Sequence, residues 1–129
     1  MLVVGAGTIS LRKTKGLLEA GARVTVVAPE ARPEFAELPV RMIRRRFRAS
    51  DVRGAALVFA ATDERATNRR VGLAAKRQGI FANIADRAEE CDFVVPARVT
   101  RGRVQIAIAT GGKDPRLSGE LRRKLQRIL

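Results

Sequence analysis

Four short stretches of this 129-residue chain carry residue types that can do chemistry. The first is Gly5-Ala6-Gly7-Thr8-Ile9-Ser10, entered from the apolar run Met1-Leu2-Val3-Val4. Gly5 permits a tight turn. Gly7 has no Cβ, so a ligand can approach the backbone. If a helix follows, its unpaired N–H groups and its dipole favour an anion such as a pyrophosphate. The second stretch is Ala28-Pro29-Glu30, where Glu30 can reach a ribose hydroxyl. The third is Thr62-Asp63 with Asn68, and the fourth is Asn83 with Asp86, a carboxylate able to accept a proton.

A glycine pair alone serves an ordinary turn as readily as a phosphate site, so its context decides. An amphipathic pattern from Thr8 to Ala20 follows, with Leu11, Leu17, Leu18 and Ile9 on the face toward a sheet. Gly21-Ala22 ends it, and the β-branched run Val24-Thr25-Val26-Val27 comes next. Strand, glycine turn, helix and strand make the first unit of a dinucleotide-binding Rossmann fold. Two features depart from its usual pattern. Ser10 occupies the third glycine position, and no acid ends the second strand: Glu30 lies two residues late. The missing strand-end acid weakens discrimination against NADP, and Arg32, nearby, can meet a phosphate.

Further along, Val40–Arg44 reads as a third strand at a sheet edge, with Arg44-Arg45-Arg46 as a solvated charge run. Ser50-Asp51-Val52 reads as a turn with capping residues. The apolar run Ala55–Ala60 is a buried parallel strand. Thr62 or Asp63 is expected to cap a helix to about Gln78, with Val71, Ala74 and Ala75 inward and Gly79 as its stop. Ile80–Ala85 is a fifth strand with Asp86 at its carboxyl end. Ligands in open α/β sheets bind past the carboxyl ends of strands, so three of these stretches, the glycine turn, Thr62-Asp63 with Asn68, and Asn83 with Asp86, are expected to converge there.

After Pro96 the pattern changes. Ala97–Thr100, a turn at Arg101-Gly102, and Arg103–Ala109 read as a hairpin. Asp114-Pro115 opens a last helix carrying Leu117, Leu121, Leu125 and Ile128 at helical spacing. A hairpin and one helix cannot bury their own apolar faces, so a homodimer through this region is expected. The fold class is α/β: a Rossmann-type parallel sheet with helices on both faces, residues 1–95, then a hairpin-plus-helix dimerisation region, residues 96–129.

Composition bounds the function. The formal charge is +13, supplied by 21 Arg and 5 Lys against 13 acidic residues. With five Phe, no Trp and no Tyr, base-stacking aromatics are scarce, and no nucleic-acid motif is present. An anionic small molecule steered by the basic surface ranks first, a merely solvated basic surface second and nucleic acid third. No apolar run approaches the ~20 residues that span a bilayer, no leader peptide is evident, and the single Cys91 fits a cytoplasmic address. Without His, a conventional metal site is not expected.

These stretches together resemble the dehydrogenase module of sirohaem synthase, precorrin-2 dehydrogenase. The resemblance runs through Leu2–Gly7 with Arg12-Lys13, Leu18–Ala22 with Val24–Pro29, Leu57–Asp63 with Asn68, Asn83–Asp86, Phe93 with Pro96, and Ile106–Pro115 before Leu121-Arg122. It implies NAD-dependent oxidation of precorrin-2 to sirohydrochlorin, on the path to sirohaem and in some organisms cobalamin, with ferrochelatase as a second family activity. It implies cofactor contacts at Gly5, Gly7, Thr8, Ile9, Pro29, Glu30, Thr62 and Asp63. Substrate contacts fall at Asn83, Thr110, Gly111 and Lys113, and Asp86 takes the acid/base role. Arg98, Arg101, Arg103, Lys113 and Arg116 would help hold an anionic tetrapyrrole. The partners implied are that substrate, a second copy of the chain, and a separate methyltransferase or chelatase in the pathway. The family's serine is Thr110 here, its Ser-Pro is Asp114-Pro115, and Gly119 stands for the arginine that follows. The lead-in before Gly5 is short, and the extra helical domain of many relatives is not seen after Leu129. A non-catalytic, NAD-sensing or partner-binding domain without its substrate half is therefore the alternative.

Overall fold

A computed structural model describes all residues from 1 to 129, in two compact units, Met1–Phe93 and Val94–Leu129. The first unit alternates strand and helix: β1 (Leu2–Val4), α1 (Thr8–Glu19), β2 (Thr25–Val27), β3 (Arg41–Ile43), β4 (Leu57–Ala60), α2 (Arg65–Arg77) and β5 (Phe81–Ile84). Short 3-10 turns lie at Pro33–Glu37, Ala49–Val52 and Ala88–Glu90. All strand pairings are parallel, in the order β3-β2-β1-β4-β5. Val3 of β1 stands opposite Val26 on one side and Phe59 on the other, in the middle of the sheet.

Parallel strands buried on both faces need apolar residues at every position, which Val3, Val4, Val26, Val27 and Val58 supply. Alternate residues feed two cores. Leu2, Val4, Val58, Ala60 and Ile84 pack with Val71, Ala74 and Ala75 of α2. Val3, Val26 and Phe59 pack with Leu11 of α1 and with Phe35, while Leu17 and Leu18 cover the edge of that cluster. The helices thus lie on opposite faces, as the sequence pattern requires. Ile9 does not join its stripe: it is 49% exposed on the first turn of α1. Gly21 and Gly79, both at positive φ, follow the ends of α1 and α2.

The outer edge of β5 is covered by the chain that follows it. The amide of Ala82 donates to the Asp92 carboxylate (2.9 Å) and that of Ile84 to the Cys91 sulfur (3.1 Å). In return the Asp92 amide donates to the Ala82 carbonyl. An open sheet edge, which would otherwise template pairing with another chain, is closed by side chains.

In the second unit β6 (Ala97–Arg101) and β7 (Val104–Ile108) form an antiparallel hairpin, and α3 (Pro115–Ile128) packs against both strands. The turn is Gly102-Arg103, one residue later than the sequence pattern indicates, and Arg101 pairs with Val104. Gly102, at φ +58°, takes the first central position, the place glycine holds in type II′ hairpin turns. Asp114 caps α3 by accepting from the Leu117 amide (3.0 Å). No residue of α3 is fully buried, and Leu117 and Ile128 are 43% and 77% exposed. No helix of the chain is long and apolar enough to cross a membrane.

Candidate functional site

Strand order reverses between β1 and β4: β2 and β3 extend the sheet on one side, β5 on the other. The loops leaving β1 and β4 must therefore diverge, and they leave a cleft of about 660 Å³ at the carboxyl ends of the strands. Its walls are Gly5–Gly7 after β1, Ala28–Arg32 after β2, Arg46-Phe47 after β3, and Ala61–Glu64 after β4 with Thr67 and Arg70 of α2.

The two glycines do different work. Gly5 sits at φ +106°, and a Cβ there would lie 2.3 Å from the Ala61 carbonyl oxygen, so the residue lets β1 turn against the end of β4. Gly7 is at φ −93°, and a Cβ built on it meets nothing within 4 Å. The space in front of its backbone is open, as a pyrophosphate requires. Gly7 also caps α1 without a side-chain hydrogen bond, and the first turn holds no acid, so its N–H groups are left for an anion. Ser10, at the third glycine position, is fully buried and its hydroxyl donates to the Gly5 carbonyl. A serine therefore tightens the turn that a smaller residue would only permit.

The loop after β4 is fixed by Asn68, which is fully buried. Its Oδ1 accepts from the Thr62 amide (3.0 Å) and hydroxyl (2.6 Å), and its Nδ2 donates to the Thr62 carbonyl (3.1 Å). Thr62 is thereby taken up in shaping the loop. Neither it nor Asp63 caps α2: that position belongs to Glu64, which makes no side-chain capping bond.

Six of the eight cofactor contacts expected from sequence line this cleft: Gly5, Gly7, Pro29, Glu30, Thr62 and Asp63. Thr8 and Ile9 stand just beyond its lining, on the first turn of α1. The Thr8 hydroxyl accepts from the Arg32 guanidinium (2.8 Å), which also pairs with Glu34 (3.0 Å). Glu34 is held below the usual carboxylate range by its backbone hydrogen bond, with that of Arg32 second.

Phe47 and Arg70 were not singled out as site residues from the sequence, and Arg46 was read only as part of a solvated charge run, yet all three line the cleft. The Arg70 guanidinium lies over the Phe47 ring at 5.9 Å, and Arg46 faces Glu64 at 3.6 Å. The run Arg44–Arg46 is thus more than a solvated edge. Arg45 forks onto Asp51 at 2.7 and 2.8 Å, closing the 3-10 turn, and Arg46 serves the cleft. For Arg46 the signal in the sequence was the charge run itself, and for Arg70 only the general excess of arginine. Around the cleft charges balance: Arg32, Arg46 and Arg70 face Glu30, Asp63 and Glu64. The positive excess of the chain lies elsewhere.

The other expected residues do not line this cleft. Asn83 is buried and its amide donates to the Phe93 carbonyl (3.0 Å), holding the segment that covers β5. Asp86, just past β5, is paired through Oδ1 with Arg65 (2.9 Å), whose other nitrogen binds Glu90. Thr110, in the second unit, bonds the Asp114 carbonyl and the Ser118 hydroxyl (both 2.9 Å), bracing the start of α3. Gly111, at φ +68°, and the exposed Lys113 belong to the same loop. The expected convergence therefore holds for the glycine turn after β1 and the Thr62-Asp63 loop after β4, which the loop after β2 joins, but not for Asn83 and Asp86.

The model of the NAD(P)-binding family matches residues 1–97. The chain is 44% identical to a siroheme synthase of Methylococcus capsulatus over 97% of its own length and 27% of that protein. It is 41% identical to siroheme synthase 3 of Aeromonas hydrophila, over 100% of this chain and 28% of the relative. The chain thus spans little more than a quarter of these relatives. Among solved structures it is similar to SirC, a precorrin-2 dehydrogenase, with a TM-score of 0.86 and 32% identity, covering 99% of this chain and 65% of that one.

Proposed function

This chain belongs to the NAD(P)-binding family that matches three quarters of it, and from that footing we propose that it oxidises precorrin-2 to sirohydrochlorin. The observation that carries the proposal is the similarity to SirC, which extends through both units and 99% of the chain. The cleft supports the same reading. The open backbone at Gly7 and the uncapped first turn of α1 suit a pyrophosphate. Pro29 and Glu30 lie where the adenosine half of a dinucleotide sits in such folds, and Phe47 with Arg70 offers a flat apolar and cationic wall. NAD bound there supplies the acceptor for a hydride.

The protein's own part is to hold both reactants and to take a proton. Loss of a hydride from the macrocycle leaves a C–H or N–H proton to be removed, and Asp86 is the carboxylate assigned to accept it. Its Oδ1 is occupied by Arg65, so Oδ2 is the oxygen available for that proton. The macrocycle's carboxylates are matched by the second unit, where nine Arg and Lys stand against Asp114 and Glu120. Thr110, Gly111 and Lys113 form the substrate-side loop of this proposal. A second copy of the chain covers the apolar face of α3, where Leu117 and Ile128 are exposed. For iron insertion the structure offers no group of three or more His, Cys, Asp or Glu that could hold a metal ion. The test is direct: purified protein with precorrin-2 and NAD should generate NADH, and Asp86→Asn should slow it by about 100-fold.

A further inference from the structure

Asp86 stands in an exposed loop, Ala85–Glu90, which by itself would leave its side chain free to sample several rotamers. One residue prevents this. Arg65 opens α2 with its guanidinium forked between two carboxylates: one terminal nitrogen binds Asp86 Oδ1 at 2.9 Å and the other binds Glu90. Arg65 is itself anchored, because it follows the loop that the buried Asn68 locks through Thr62. The three side chains are each about one-third exposed, so the fork is partly screened yet not fully solvated. The result is a rigid path from the cleft wall after β4 to the carboxylate after β5.

We propose that Arg65 is a positioning residue for proton removal by Asp86, an inference that rests on the acid/base role given to Asp86 above. The guanidinium fixes Oδ1, turns Oδ2 outward as the proton acceptor, and ties the β5 loop to α2 so that the acceptor keeps its place. Glu90 fills the second arm of the fork and stops Arg65 from swinging away. Planarity matters: a lysine would bring a point charge to one carboxylate and lose the bridge.

The experiment compares wild type with Arg65→Gln, Arg65→Lys, Glu90→Gln, Asp86→Asn and the double variant Arg65→Gln/Asp86→Asn. NADH formation from precorrin-2 gives kcat, calorimetry gives the Kd for NAD, and thermal melting reports folding. Arg65→Gln should lower kcat about tenfold with the Kd for NAD unchanged, and Arg65→Lys should recover part of the loss. Glu90→Gln should fall between, and it tests the fork even if Arg65→Gln proves unstable. The double variant should be no slower than Asp86→Asn alone, because Arg65 acts only through Asp86. A wild-type kcat for folded Arg65→Gln or Glu90→Gln, or losses that multiply in the double variant, would overturn the positioning role while leaving the dehydrogenase reading intact. Failure of the wild type itself to form NADH would overturn that reading and this inference with it.

Discussion

Asn68 and Thr62 are joined by three hydrogen bonds: Asn68 Oδ1 accepts from the Thr62 amide and hydroxyl, and its Nδ2 donates to the Thr62 carbonyl. A buried side-chain amide thus takes the place of strand partners for the loop that leaves β4. Asn68→Ala would strand the amide and carbonyl of Thr62 together. It is expected to cost about 2–3 kcal/mol in urea unfolding and to weaken NAD binding several-fold, because the loop is a wall of the cleft. An unshifted unfolding midpoint would show that the three bonds are dispensable.

Gly5 and Gly7 should separate fold from function. An alanine at position 5 would place its Cβ 2.3 Å from the Ala61 carbonyl oxygen at φ +106°, so about 3 kcal/mol of stability should be lost. An alanine at position 7 meets nothing within 4 Å and an allowed φ. Its stability cost should stay below about 1 kcal/mol, the difference between glycine and alanine at an N-cap. Its methyl would enter the space meant for a pyrophosphate, and calorimetry should find NAD bound about tenfold more weakly. Equal NAD affinity in Gly7→Ala and wild type would move the phosphate site elsewhere.

Acid stability should depend on Asp51. Its carboxylate is held below the ordinary range, first by the hydrogen bond from Arg45 and then by the backbone amide of Arg48, against the opposing effect of burial. The folded chain therefore binds this proton more weakly than the unfolded chain. The stabilisation is complete above the unfolded-state value of about 4 and drains away as the pH falls through the lower folded value. Asp51→Asn should lose about 1–2 kcal/mol at pH 7 and show a flatter decline of stability below about pH 4. Parallel acid limbs in the two proteins would refute the assignment.

The proposed dimer has its own test. If a second copy covers α3, light scattering at micromolar concentration should give twice the 14.1 kDa chain mass. Charging the exposed apolar positions with Leu117→Glu and Ile128→Glu should halve that value. A wild-type monomer would end the proposal.

The order of strands and helices was legible because each element is local: β-branched runs, a 3.6-residue stripe and glycine stops lie within a dozen residues. Capping of α3 by Asp114 was likewise readable from its place before Pro115. Side-chain partnerships across the fold were not. Asn83 looked like a ligand-facing polar residue at a strand end, but it is spent on Phe93, ten residues later in the chain. Thr62 looked like a cap, and only the burial of Asn68 turned it into a loop lock. Arg65 lies 21 and 25 residues from Asp86 and Glu90, and no periodicity encodes that meeting. Arg70 was hidden in a chain with 21 arginines, where the next cation carries little information, and for the same reason Arg46 was read as part of a solvated run.

The central claim is tested by absorbance at 340 nm when the purified protein is mixed with freshly made precorrin-2 and NAD, beside Asp86→Asn. NADH should accumulate with the wild type, and about 100-fold more slowly with the variant. NAD binding without NADH from either protein would contradict the account and leave a nucleotide-binding domain that does not oxidise this tetrapyrrole.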